Sequence, residues 1–389
     1  MIYFTKYLFI FFCWNFIDII KKLMKLFSVF IFIIKDSKNI NSKNTSIFEK
    51  RLAKLSSKKY ALTTCNGTLS IQTAIYANNL FKKNIGCAIN MIPSSYYPIK
   101  VTGNNIMRLE IDNQTLLISN ESVEKACKNK KIDALIYCDF YGNYENINDV
   151  RNICSFYQIP LIRDCSHSHH NVKFKEGVTN INETICYSFQ SSKGISTFEG
   201  GAICTDNEEI FTKSLFYLCQ NKFLNKCESN KIKNNKYLEK FDQNGYGIKG
   251  RINPLGSCIG LVDLRFIEIQ NKLINYLYQL SEIFLEKHSL NTELNNKNYK
   301  YFSNGCKNIV LKFNNIDKIY KATKIMRNYG IQFYKRNYNL DLISNISDNT
   351  LATKQAKQLF DEIIFINIDS LLSYRGFLNL LFKIISKIK

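Results

Sequence analysis

"YSFQSSKGISTFEGG", residues 187–201, sets a single lysine, Lys193, among serines and a threonine, with glycines at 194, 200 and 201. The run lies between two ordinary apolar stretches. A lysine in a polar loop is usually solvated. An amine that attacks a carbonyl is different: it needs burial or positive neighbours that keep part of it unprotonated near neutral pH. The stretch leaves both readings open, and the segments around it decide between them.

Outward from the loop, apolar runs alternate with helical periods. CAINMI (87–92), ALIYCDF (134–140) and IPLIRDC (159–165) read as buried strands. Polar turn residues and a helical pattern follow, as in ENINDVRNICSFY (145–157). CNGTLSIQTAIYANNLF (65–81) carries a turn into a helix, and residues 47–56 read as another helix. This alternation predicts an α/β fold with a mainly parallel sheet covered by helices. Ligands of such sheets collect beyond the carboxyl ends of the strands, where Asp164 falls. A long helical stretch from Gly256 to about Glu286 leaves the sheet region. Beyond it, IVLKF (309–313), KATKIMRNYG (321–330) and IIFINI (363–368) read as a smaller C-terminal α+β domain. The expected division is 1–45 as a hydrophobic, basic extension, 46–260 as the large domain and 261–389 as the small one.

Composition narrows the function classes. With 46% hydrophobic and 22% charged residues, the 389-residue chain supports a sizeable core. The balance of 53 basic to 32 acidic residues gives +21, which attracts phosphates, anionic lipid or nucleic acid at long range. No arginine-rich arm, zinc-finger spacing or RNP-type aromatic motif accompanies it, so no nucleic-acid partner is expected. Thirteen cysteines are scattered without a CxxC pair, which fits reduced thiols and a cytoplasmic location.

Both termini are unusual. The apolar runs 7–20 and 26–34 are separated by KKLMK, and neither reaches the roughly 20 residues that span a bilayer. At the other end Phe377, Leu380, Leu381, Ile384, Ile385 and Ile388 recur at helical spacing among Lys383, Lys387 and Lys389, the pattern of a basic amphipathic helix. Peripheral contact with a membrane and packing on the body or across a subunit interface both fit these segments.

The chemistry comes from several places at once. If Lys193 forms a Schiff base with pyridoxal 5'-phosphate, a carboxylate must keep the pyridine nitrogen protonated. Asp164, ending an apolar strand, has the right type and position. Asn66-Gly67-Thr68 opening a helix supplies backbone N–H groups for a phosphate, Ser188 a further hydroxyl, and Tyr97 in PSSYYP (93–98) an aromatic face. Taken singly, each has a plainer reading: an N-cap, a turn former, a solvated loop.

The order of these segments resembles the DegT/DnrJ/EryC1/StrS family of pyridoxal-phosphate sugar aminotransferases, over about residues 46–290. FEKRLAKLSSKKYALTTCNGTLS (48–70) is similar to the family's opening segment, with Asn66-Gly67-Thr68 at its Ser-Gly-Thr turn. PSSYYP places Tyr97 as the stacking residue, and DFYGN (139–143) resembles the family's Tyr-Gly turn. RDCSHSHH (163–170) lies on Glu-Asp-Ala-Ala-Gln-Ala-His-Gly, giving Asp164 the pyridinium role and His167 the position beside the ring. The opening stretch lies on the Ser-Phe-x-x-x-Lys segment, which sets Ser188 on the phosphate and Lys193 on the cofactor aldehyde. YGIKGRINPLGSCIGLVDL (246–264) resembles the Gly-x-Asn-x-Arg loop, with Lys249 at the Asn position.

The resemblance implies fold type I of the aspartate-aminotransferase kind and transfer of an amino group from glutamate or glutamine to a nucleotide-linked keto-deoxysugar. It also implies a homodimer in which Lys249 reaches the cofactor phosphate of the neighbouring subunit. A related branch with histidine in place of the lysine dehydrates its substrate, so Lys193 argues for transamination. The departures are His167 for Gln, His170 for Gly, Asp139 where His is common, and no His-Tyr-Pro near QFYKRNYNLDL (332–342). They keep a second possibility in view, a catalytically silent relative acting as a membrane-associated or regulatory protein. The HSHH cluster also invites a metal reading, but only Cys165 lies near it as a further ligand, and no metal is expected.

Overall fold

Seven strands build one sheet: β1 (Tyr60–Thr64), β2 (Asn84–Ala88), β3 (Asn105–Leu109), β4 (Ala134–Cys138), β5 (Leu161–Asp164), β6 (Glu183–Ser188) and β7 (Gly201–Thr205). Their order in the computed structural model is β1-β7-β6-β5-β4-β2-β3. β7 runs antiparallel to both neighbours and the other pairs are parallel. The structure describes residues 2–35, 43–169, 182–219, 247–287, 308–313, 315–328, 331–333, 363–367 and 372. The C-terminal segment read as a basic amphipathic helix lies outside them, as does His170.

The strands are apolar on both faces, as a sheet covered on both sides requires. In β4, Ala134, Leu135, Ile136 and Tyr137 are all buried. α3 (Gly67–Ala77), α4 (Pro93–Val101), α5 (Asn120–Lys128), α6 (Ile147–Phe156) and α7 (Glu208–Cys219) connect or cover them. α2 (Lys43–Leu55) leads into β1 and buries Phe48 and Leu52 against the β6–β7 side. β2 ends earlier than CAINMI suggests. Ile89 and Met91 are buried, but beyond the ladder, where the Ile89 N–H donates to the Leu109 carbonyl. The apolar run there marks burial and not strand pairing.

α8 (Pro254–Lys287) is a single helix of 34 residues that matches the predicted stretch closely, and residue 260 falls inside it. β8 (Asn308–Lys312) and β9 (Ile363–Asn367) pair antiparallel and, with α9 (Ile316–Asn328), form the smaller C-terminal subdomain. The two N-terminal apolar runs are one continuous helix, α1 (Ile2–Lys35). Tyr7, Ile10, Phe11, Trp14 and Ile17 of α1 join α8 residues Leu273, Ile274 and Leu277 and the β8–β9 strands in one core. Each such side chain, fully buried, contributes about 1.5–3 kcal/mol. The KKLMK interruption is accommodated because Lys21 and Lys25 both reach the buried Asp263 of α8, at 2.9 and 2.8 Å. Among the described residues no helix is long and apolar enough to cross a membrane.

A buried ion cluster ties the sheet together. Glu183, at the start of β6, accepts from Arg151 of α6 at 2.9 Å and from Lys58 at 3.0 Å. Burial works against its charge, but the two cations hold its carboxyl below the ordinary glutamate range. A depressed folded-state value stabilises the fold above the unfolded value, and that stabilisation is lost as pH falls through the folded one. Stability should therefore fall as pH drops below about 4.3, and urea unfolding of Glu183→Gln should show a shallower decline over the same range. Parallel curves for the two proteins would contradict this.

Candidate active site

The carboxyl ends of β1, β4, β5 and β6, with the start of antiparallel β7, meet along one edge of the sheet. The register aligns Cys138 with Asp164, Asp164 with Cys186, and Ser188 with Gly201. Asp164 is fully buried at this edge. Its Oδ2 accepts from the Ser95 hydroxyl of α4 at 2.5 Å, and its Oδ1 accepts from the Ser166 N–H at 2.9 Å. A carboxylate held from two sides keeps one orientation.

Lys193 rides on the loop between β6 and β7. The Phe189 N–H donates to the Gly200 carbonyl at 2.7 Å, closing the base of that loop, and the Lys193 N–H donates to the Gln190 carbonyl at 2.9 Å in a turn. Two further contacts pin the segment. The Ile195 N–H donates to Nδ1 of the buried His169 at 2.9 Å, and the Ser196 N–H donates to Asp263 Oδ2 at 2.8 Å. Lys193 is half-buried, and its charge reaches the edge. Burial pushes the Cys138 thiol well up, Asp164 and Asp139 push it further, and the positive charge of Lys193 opposes them. Lys193 and Asp164 thus act electrostatically on the same sulfur, beside the end of β4.

Asn66, Gly67 and Thr68 form the start of α3. Asn66 is extended and its Oδ1 accepts from the Leu69 N–H at 2.8 Å, so its side chain serves as the N-cap. The plainer reading of Asn66 therefore holds, and the start of α3 that it caps carries the positive end of the helix dipole. Gly67 is required by a close approach: a Cβ there would lie 2.6 Å from Cβ of Ser188. The helix start and Ser188 thus sit against one another. Gly201 is equally tight, with the Asn66 carbonyl and the Thr64 and Ser70 hydroxyls each 2.6 Å from where its Cβ would be.

Tyr97 on α4 is 40% exposed, while its neighbour Tyr96 is buried, their rings 4.9 Å apart. His167 is buried, its Nδ1 accepts from the Tyr141 N–H at 3.3 Å, and its ring lies 5.2 Å from the Tyr141 ring. His167 and His169 thus face different backbone donors. No group of metal-ligating side chains occurs among the described residues. Lys249 is exposed on its own chain, and the adjoining Gly250 accepts from the Cys65 N–H at 2.7 Å, next to the α3 turn. Arg251 pairs with Glu49 of α2 at 2.6 Å.

Beneath the edge lies a fully buried ion pair. Arg163 of β5 makes two 2.8 Å hydrogen bonds to Asp139, which also accepts from the Ser168 hydroxyl. Burial disfavours the guanidinium charge, but the adjacent carboxylate more than offsets it and holds Arg163 well above its usual range. Arg163 precedes Asp164 in sequence, and Asp139 meets it in space, its N–H donating to the Asp164 carbonyl at 3.1 Å. Removing one partner leaves a bare buried charge, so Asp139→Leu should cost about 3–5 kcal/mol. The double change Asp139→Leu with Arg163→Met should recover most of that in denaturant titrations; an additive loss would argue against a mutually dependent pair.

The family profile of the DegT/DnrJ/EryC1/StrS aminotransferases matches residues 28–373. This chain belongs to that family. A UDP-4-amino-4,6-dideoxy-N-acetyl-beta-L-altrosamine transaminase of Campylobacter jejuni is 26% identical over 181 residues, 46% of this chain and 48% of that protein. GDP-perosamine synthase of Escherichia coli O157:H7 is 26% identical over 186 residues, 47% and 50% of the two chains. The matched region thus spans about half the length of these relatives. In structure, an aminotransferase from Psychrobacter cryohalolentis superposes with a TM-score of 0.75 at 15% identity, over 94% of this chain and 96% of that one. E. coli GDP-4-keto-6-deoxy-D-mannose-3-dehydratase with bound hydrated PLP gives 0.71 at 20% identity, over 92% and 95%. These two likenesses show a common fold.

Within this aminotransferase family member, the sequence did not single out Ser95, nor show that His169 of the HSHH cluster holds the lysine loop or that Asp139 pairs with Arg163. Ser95 stands in the quoted PSSYYP, but nothing local says which serine faces Asp164. An arginine inside the apolar run IPLIRDC was a legible signal, because a buried guanidinium requires an acid nearby.

Proposed function

We propose that this chain is a pyridoxal phosphate-dependent aminotransferase that moves an amino group from glutamate or glutamine to a nucleotide-linked keto-deoxysugar. The observation that carries the reading is the meeting, at one sheet edge, of a doubly hydrogen-bonded buried aspartate, a pinned lysine loop and a helix start seated against a serine. The residues fit the cofactor: the Gly67–Ser188 approach sets the Ser188 hydroxyl against the start of α3, so that one anion can meet both, and Asp164 is a buried carboxylate held in one orientation, the group a cationic ring nitrogen needs. When bound, pyridoxal phosphate supplies an aldehyde that condenses with amines and a ring that draws electrons from the neighbouring carbon.

The chain's own groups supply the rest. Asp164 holds a proton on the ring nitrogen. With the cofactor bound, the amine of Lys193 would hold its aldehyde and, on a flexible four-carbon stem, would be the group able to take up and return a proton at neighbouring carbons. N–H groups of the Asn66–Thr68 turn and the Ser188 hydroxyl take the phosphate. Tyr97 would supply an aromatic face for the ring and His167 an imidazole at its side. Lys249 of the partner subunit adds a charge to the phosphate, which makes a homodimer the working unit. Lys193 also favours amino transfer over the dehydration named for one relative with the same fold.

The test is spectroscopic and then chemical. Protein with pyridoxal phosphate should turn yellow, lose that colour on addition of glutamate or glutamine, and regain it with a nucleoside diphosphate 4-keto-6-deoxyhexose as 2-oxo acid and amino sugar form. A bound cofactor that neither amino acid bleaches would overturn the transaminase reading.

A further inference from the structure

α1 has two apolar faces; among the described residues one packs into the core with α8 and β8–β9, and the other is largely exposed. The other begins with Phe9, Phe12, Phe16, Ile19 and Leu23 and continues with the same three-and-four spacing to Ile33, its large side chains 57–69% exposed. At 1.5 Å per residue it runs roughly 36 Å. Four phenylalanines, Phe9, Phe12, Phe16 and Phe30, belong to this face. At about 150–250 Å² for each aromatic side chain, they alone leave on the order of 400–600 Å² in water. That alone reaches the roughly 300–600 Å² of the largest apolar patch on a typical monomer, before Ile19, Leu23, Leu26 and Ile33 are added.

We propose that this outer face of α1 lies in the plane of an anionic lipid bilayer, with its side chains at the boundary between headgroups and acyl chains. Width argues for lipid over a second helix. A coiled-coil seam is narrow, favours leucine and β-branched residues, and is bordered by complementary charges. Here the bordering positions are themselves apolar, with Leu8 and Val29 on one side and Ile20, Phe27 and Ile34 on the other. Lys22 stands among them, and it pairs within its own helix to Asp18 at 2.7 Å. Nothing there sets a register between two copies. Charge argues for an anionic surface: the chain carries +21, and each basic residue near such a membrane contributes about 1 kcal/mol.

The architecture also fits a helix lying flat. An isolated interfacial helix needs a polar face toward water. In α1 the body takes that place, through the buried apolar contacts with α8 and the two lysines on Asp263. The inference extends the proposed function and is independent of it, because none of the exposed side chains of this outer face belongs to the active site.

The test is flotation of the full-length protein with large unilamellar vesicles of phosphatidylcholine containing phosphatidylserine, and with vesicles of phosphatidylcholine alone. The protein should float with the anionic vesicles and partition several-fold less onto the neutral ones or in high salt. Replacing Phe12, Phe16, Leu23 and Phe30 together by Gln should lower the partition coefficient at least about 100-fold. Trp14, the one tryptophan, is buried on the docked face of α1, so unchanged emission reports that the helix stays docked. If that variant unfolds, Phe16→Asp alone provides the same comparison. Wild type that stays unbound, or variants that bind as well as wild type, overturns the proposal. So does a variant that changes only the oligomeric mass, since the face then joins copies of this chain.

Discussion

Lys193→Ala is expected to abolish the yellow colour with pyridoxal phosphate and to lower amino transfer by at least about 10³-fold, within the range for removing a positioned acid–base group that also holds the reactant. The fold should survive. The backbone contacts that shape the loop come from the Lys193, Ile195 and Ser196 N–H groups, and none uses the lysine side chain. The melting temperature without cofactor should therefore match wild type. A second variant, His169→Ala, removes the acceptor of the Ile195 N–H and leaves the lysine in place. It should bind cofactor more weakly and still show the colour at saturation, which separates positioning from chemistry.

Asp164→Asn is expected to have the next largest effect, about 10²–10³-fold on turnover, the scale of removing one preorganised electrostatic partner. Asparagine keeps the shape and an oxygen for the Ser95 hydroxyl or the Ser166 N–H but carries no charge to hold a ring proton. The loss should fall mainly on kcat, with a modest change in cofactor affinity. Ser95→Ala should cost less, about tenfold, in line with one hydrogen bond to a charged group. Equal losses for Ser95→Ala and Asp164→Asn would mean that position, not charge, is what Asp164 contributes.

Much of the large domain was readable because its signals are local. Asp164 ends an apolar run, the α3 turn precedes a helical period, and α8 begins at Pro254 as helix starts favour. What escaped depended on partners far away in sequence. Lys21 and Lys25 look like a break between two short apolar runs until Asp263, more than two hundred residues later, neutralises them inside one helix. β2 was shifted toward Ile89 and Met91 because hydrophobicity reports burial, and only the ladder with β3 and β4 fixes which residues pair. At the site the residue types were evident in the chain, whereas the second contacts were not. Ser95 to Asp164, Ile195 to His169 and Arg163 to Asp139 are tertiary facts that no spacing encodes.

The most direct measurement is reduction of the protein with borohydride in the presence of pyridoxal phosphate, followed by peptide mass mapping. The cofactor should be fixed on the peptide carrying Lys193, and on no other in the Lys193→Ala variant. Cofactor found on a different lysine, or a Lys193 peptide that stays unmodified while the protein transfers amino groups, would contradict the assignment.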